Sequence, residues 1–120
     1  MRAAAWFGRG VAAGMAAWGL GHLLSGSFEP FDSGIGFMVT QAILGAVAVV
    51  AARRAGGVAL GAALAGGYLG LNLYPYLFGS GETRAWWMLG ALTSLSLIMI
   101  PAVCGVMALL VRRYRNKAAP

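Results

Sequence analysis

The 120-residue sequence is poor in charge and has almost no acidic residues. Charged side chains make up 10% of the chain and only three of them are Asp or Glu, whereas 60% of the residues are hydrophobic. A chain of this length cannot bury so much apolar surface in one water-soluble core, and it is too short for a second domain. We therefore expect a single domain, residues 1–120, surrounded by a lipid bilayer.

Cysteine and histidine are equally scarce, with one of each. A lone Cys104 excludes an internal disulfide and a cysteine metal cluster. His22 has only Glu29, Asp32 and Glu82 as companions for a metal ion, so we expect no metal site and no cofactor. The sequence also contains no Ser/His/Asp set, no HExxH motif and no credible phosphate-binding loop, so we expect no catalytic activity of its own.

Long uncharged runs are the main positive feature of the sequence, and four of them reach about 20 residues, the length of a membrane-spanning helix. No Asp or Glu lies inside any of them, which disfavours a proton-coupled pump that uses a membrane carboxylate. We predict an all-α integral membrane protein, a four-transmembrane-helix bundle followed by a basic tail at 112–120. The approximate spans are 6–24, 34–52, 58–78 and 86–111.

The basic residues are sorted to one side of the predicted bundle. All of them except Arg84 lie at the N-terminus, in the second joint or in the tail. Because Lys and Arg collect on the cytoplasmic side, we predict a multi-pass protein of the inner or plasma membrane with both termini cytoplasmic. The net charge of +6 then requires no nucleic-acid partner, although the tail "RRYRNK" also suits anionic lipid headgroups. The residues concerned are Arg2, Arg9, Arg53, Arg54, Arg112, Arg113, Arg115 and Lys117.

Glycine is abundant, with 19 residues, and in lipid small residues allow helices to approach closely. Helix 1 carries one side of small residues, and helix 3 carries two. We therefore expect helix 3 either at the centre of the bundle or at a subunit interface, with generic packing and specific dimerisation both open. The candidate packing residues are Gly10, Gly14, Gly21, Gly57, Gly61, Gly66 and Gly70.

Each predicted helix contributes a polar residue to the extracytoplasmic half of the bundle, within roughly 12 Å of its outer end. Two interpretations remain open: hydrogen bonds that hold helices together, or an outward-facing pocket or pathway. The candidate residues are His22, Gln41, Asn72, Thr93 and Ser94.

Asn72 stands on the same predicted helix side as Gly57, Gly61 and Ala65, which we expect to be packed. An amide left unpaired in hydrocarbon would cost several kcal/mol. We therefore expect Asn72 to bind another buried polar group, with Gln41 or Ser94 as partner.

Two prolines lie inside predicted helices. Pro75 and Pro101 lack the N–H that would bind the carbonyls of Leu71 and Leu97, so each leaves a backbone acceptor open. We expect both carbonyls to need another donor.

The sequence shows a weak internal similarity at an offset of fifty residues, which pairs His22 with Asn72 and Asp32 with Glu82. Two repeated helical hairpins would be related by a pseudo-twofold axis along the membrane normal. Chance matching of apolar segments is the alternative explanation.

These features favour an accessory subunit of a larger membrane complex or a small homo-oligomer, with the lipid bilayer as its surroundings. A minimal transporter or channel is the second hypothesis. The length and helix count resemble those of small multidrug exporters, but helix 1 lacks their acidic residue. The hydropathy pattern alone resembles the DoxX-like group of four-helix membrane proteins, which implies a third hypothesis, a membrane redox helper that handles a quinone-like ligand.

Overall fold

The computed structural model describes residues 2–26, 34–79, 81, 85 and 87–118, and these form four long helices. The predicted all-α architecture is confirmed, and each predicted span coincides with one helix, apart from residue 86, which lies outside the described residues. In chain order the helices are α1 (Arg2–Ser25), α2 (Gly34–Ala55), α3 (Gly57–Phe78) and α4 (Trp87–Ala118).

Three of the described helices are long and apolar enough to cross a membrane: α2, α3 and the Trp87–Arg115 portion of α4. They indicate a membrane protein. Helix α1 has 24 residues, enough to span, but it includes Arg9 and His22 and is less apolar than the other three.

Helix α4 continues beyond the predicted span and includes most of the predicted tail. It has 32 residues, or about 48 Å at 1.5 Å per residue, against about 30 Å of hydrocarbon. Arg and Lys are good helix formers, so the helix has no reason to end where the apolar run ends. The boundary predicted at residue 112 is therefore a change in composition within one helix.

Helices α2 and α3 form the middle of the bundle. Each packs against the other and against both α1 and α4, while no comparable contact joins α1 to α4 within the described residues. Helix α1 packs most extensively against α3, with Gly10 beside Ala63 and Gly19 beside Tyr74. Later residues of α1 thus lie beside later residues of α3, so the two helices are parallel.

Helices α2 and α4 are also parallel and lie antiparallel to the first pair. Going along α2, successive residues contact successive residues of α4: Gln41 is bonded to Leu97, and Ala48 lies beside Gly105. Consecutive helices thus run in opposite directions.

A single residue, Gly56, connects α2 to α3. Its φ of 91° and ψ of −166° lie in a region that only glycine occupies readily. Its N–H donates to the carbonyl of Ala51 at 3.1 Å, and its own carbonyl accepts from Leu60 at 3.0 Å. The turn therefore closes the hairpin with no loop.

The core consists mainly of alanine and leucine side chains, and two of its clusters contain a tryptophan. Trp18 packs with Leu71 and Leu97 in the half of the bundle that holds Gln41, whereas Trp6 packs with alanines near the basic end. Trp6 is 8% exposed, with the Arg9 guanidinium 4.6 Å from its ring centroid. The alanine-rich neighbours leave room for the ring inside the bundle, and the cation covers it.

Candidate functional site

The closest backbone contact between described helices joins Gly10 and Gly14 of α1 to Gly66 and Gly70 of α3. A Cβ atom added to any of these four glycines would collide with a carbonyl oxygen of the facing helix. Such an approach suits the weak Cα–H···O bonds and dispersion contacts that hold membrane helices together. Four of the seven candidate packing glycines therefore meet at one contact.

This contact has local twofold symmetry. Gly10 and Gly66 face equivalent groups, as do Gly14 and Gly70, and the members of each pair are 56 positions apart. The sequence similarity that we noted has an offset of fifty. The symmetry of the contact therefore does not follow that alignment, and His22 and Asn72 are not equivalent positions within it.

The other candidate glycines differ in their surroundings. Gly21 faces the backbone of Gly36, with its Cβ position 3.3 Å from the carbonyl oxygen, and Gly57 meets only the Leu109 side chain at 3.4 Å. Gly61 is exposed, and a Cβ added to it would meet nothing within 4 Å. We expected both small-residue sides of α3 to be packed. The side of Gly66 and Gly70 meets the glycines of α1, whereas the side of Gly61 and Ala65 is exposed among the described residues.

Gln41 links α2 to α4 at the point where Pro101 interrupts the helix. Its Nε2 donates to the carbonyl oxygen of Leu97 at 3.0 Å. That carbonyl is the acceptor that Pro101 cannot serve, so the amide replaces the missing helical hydrogen bond. The Oε1 atom of Gln41 is buried and has no hydrogen-bond partner among the residues that the structure describes.

Asn72 does not bind Gln41 or Ser94 within the described part of the chain. Its Nδ2 donates to the carbonyl oxygen of Tyr68 at 2.8 Å, one turn earlier in the same helix. The carbonyl at i−4 is always within reach of a short polar side chain on a helix, whereas a partner on another helix requires matching rotation and depth. The expected pairing of Asn72 is therefore wrong in its partner.

The remaining candidates of the polar cluster are divided between buried and half-buried positions. Ser94 is 1% exposed, His22 is half-buried, and Thr93 Oγ1 donates to the carbonyl oxygen of Gly90 at 3.0 Å. No described hydrogen bond joins one of the five candidate side chains to another.

Two polar residues that we did not select belong to the same half of the bundle. Tyr68 donates its hydroxyl to the carbonyl oxygen of Ala91 at 2.8 Å and so links α3 to α4. Thr40 is fully buried and donates to the carbonyl oxygen of Gly36 at 2.9 Å. The sequence signal for Thr40 was its position next to Gln41, and the signal for Tyr68 was its place one turn before Asn72 on the same predicted helix side.

Metal-binding groups are sparse in the described residues, where no three His, Cys, Asp or Glu side chains come together. Comparisons with protein-family models, with curated protein sequences and with solved structures find no match for this chain. Its function is therefore inferred from its own contacts.

Proposed function

We propose that this is a four-span protein of the inner membrane, with both termini cytoplasmic and no catalytic activity of its own. It serves as an accessory subunit of a larger membrane complex or assembles as a homo-oligomer. One observation carries the proposal: the side-chain hydrogen bonds of Ser25, Thr40, Gln41, Tyr68, Asn72, Thr93, Ser96 and Arg112 that the structure describes all end on a backbone carbonyl. These donors therefore stabilise helices and helix contacts.

The contact between α1 and α3 supports α1 as the fourth span. From Gly10 to Gly19, α1 lies directly along α3, which is itself long and apolar enough to cross a membrane. A parallel helix in backbone contact with a spanning helix lies at the same depth. The lower hydropathy of α1 is compensated because its glycines face α3 and not lipid.

A reporter fused after Pro120 tests the orientation. All basic residues except Arg84 lie near the helix ends that we assign to the cytoplasm. We therefore expect a cytoplasmic reporter to be active after Pro120 and a periplasmic reporter to be silent. The same pair of reporters inserted in the joint between α1 and α2 should give the opposite result. A periplasmic signal after Pro120 would contradict the proposed topology.

The free side of α3 supports association with another subunit. Gly57, Gly61 and Ala65 are exposed along one side of α3, while the opposite side is occupied by α1. Small residues at four-residue spacing allow a second membrane helix to approach as closely as α1 does. This side is where we place the interface with a second copy or with a partner subunit.

Gly61→Leu tests that interface. We expect the variant to fold normally, because a Cβ atom at this position meets no described residue within 4 Å. We expect it to lose its partner or its second copy in native mass spectrometry from mild detergent. Gly45→Leu is the matched control, since Gly45 in α2 also has open space around its Cβ position. If both variants keep the wild-type mass of the assembly, α3 does not provide the interface.

A minimal transporter with an outward-facing site is the second candidate, and the buried Oε1 atom of Gln41 favours it. An acceptor without a partner among the described residues is a ready contact for a ligand that donates a hydrogen bond. The same mass spectra separate the candidates. Added subunits support an assembly role, whereas a retained small ligand that Gln41→Leu abolishes supports transport, and a bound chromophore supports a redox helper.

A further inference from the structure

A groove of about 540 Å³ lies between the last turns of α2 and the facing part of α4, at the basic end of the bundle. Three of its six lining residues are apolar and three are arginines. The apolar side chains are Val49, Ala108 and Val111, and the cationic ones are Arg53, Arg112 and Arg115.

No carboxylate neutralises these arginines among the described residues. The whole sequence has three acidic residues, and in the chain they fall between α1 and α2 and between α3 and α4, not near the α2–α3 turn or the end of α4. Arg112 Nη1 donates to the carbonyl oxygen of Ala52 at 3.2 Å, which fixes one guanidinium against the end of α2. Arg53 and Arg115 are exposed on the groove.

We propose that this groove binds an anionic phospholipid, with its headgroup phosphate between Arg53 and Arg115 and the start of an acyl chain along Val49 and Val111. The planar guanidinium group matches a phosphate with paired hydrogen bonds. The groove lies at the ends of two helices that are long and apolar enough to cross the bilayer, which is the level at which headgroups are concentrated. A basic groove between membrane helices is a known form of lipid site.

The test is a lipid titration of the full chain in mild detergent, comparing phosphatidylglycerol with phosphatidylcholine and counting bound lipids by native mass spectrometry. The groove variant is Arg53→Gln with Arg115→Gln, and Arg112 is kept because it contacts α2. The matched control is Arg54→Gln with Arg113→Gln, which removes the same charge from exposed neighbours outside the groove. Circular dichroism checks that both variants are folded, and the single groove variants serve if the double one is not.

We expect the preference for phosphatidylglycerol to fall about tenfold further in the groove variant than in the control, because only the groove arginines donate charge-assisted hydrogen bonds to the bound phosphate. The control loses only the non-specific attraction of two exposed arginines near the basic helix end. Equal losses in the two variants would show diffuse attraction to the basic helix end and overturn the proposal. So would a wild-type protein that prefers neither lipid. Inorganic phosphate is the third arm: if it displaces the lipid at equal concentration, the site takes a soluble anion and not a lipid.

Discussion

Gly66→Leu should separate α1 from α3 and lower the free energy of unfolding by about 3 kcal/mol or more, the upper end of overpacking effects. Even the first carbon of the new side chain would collide with the carbonyl oxygen of Phe7, on backbone that cannot move aside without shifting α1. The packing that holds α1 beside α3 would then be lost over the whole contact. Thermal unfolding in mild detergent, followed by circular dichroism and by the elution volume, measures the change.

Gly45→Leu again provides the control, because it adds the same side chain to a neighbouring helix where a Cβ atom has open space. We expect its unfolding temperature to stay close to that of the wild type. Similar stability of the Gly66 and Gly45 variants would contradict the backbone contact between α1 and α3. A large loss in both would show that added bulk alone destabilises the bundle.

Gln41→Leu should lower the free energy of unfolding by about 1 to 2 kcal/mol, although leucine is more apolar than glutamine. The variant leaves the carbonyl of Leu97 without a donor, because Pro101 has no N–H to offer. Leu97 is fully buried, so water does not replace the amide. Unfolding in detergent measures the loss.

Two further variants separate this mechanism from a general effect of removing an amide. Asn72→Leu should have a smaller effect, because the carbonyl of Tyr68 keeps its ordinary helical donor, the backbone N–H of residue 72. In a Pro101→Ala background the helix regains an N–H for Leu97, so Gln41→Leu should cost close to nothing there. If the cost of Gln41→Leu is the same in both backgrounds, the amide does not serve the proline break, since a double-mutant cycle isolates that coupling.

The helices were predictable because a spanning helix must contain a long apolar run, and the charged joints mark its ends. The two small-residue sides of α3 show where sequence alone is insufficient. Gly61 and Gly66 have similar neighbours in the sequence, yet only Gly66 meets a matching glycine side, that of Gly10 and Gly14. Which side is used depends on the rotation and register of a helix more than forty residues away in the chain.

The polar cluster was predictable in depth and not in its hydrogen bonds. The rise per residue places Gln41 and Asn72 in the same half of the bundle. Their partners are backbone carbonyls, and every residue carries one, so composition does not distinguish the acceptor. The position of Pro101 did predict one acceptor, the carbonyl of Leu97. That Gln41 is its donor could not be predicted, because this depends on how α2 packs against α4.

The one-residue turn at Gly56 bears on how the bundle assembles during synthesis. The glycine side of α1 is made well before α3 and is uncovered until α3 arrives. During that interval any parallel helix with small residues at four-residue spacing could bind it. Because Gly56 joins α3 directly to α2, which already packs on α1, the correct partner is delivered within the same chain at high effective concentration. A longer connection at this point would lower that effective concentration and favour exchange of α3 between neighbouring chains.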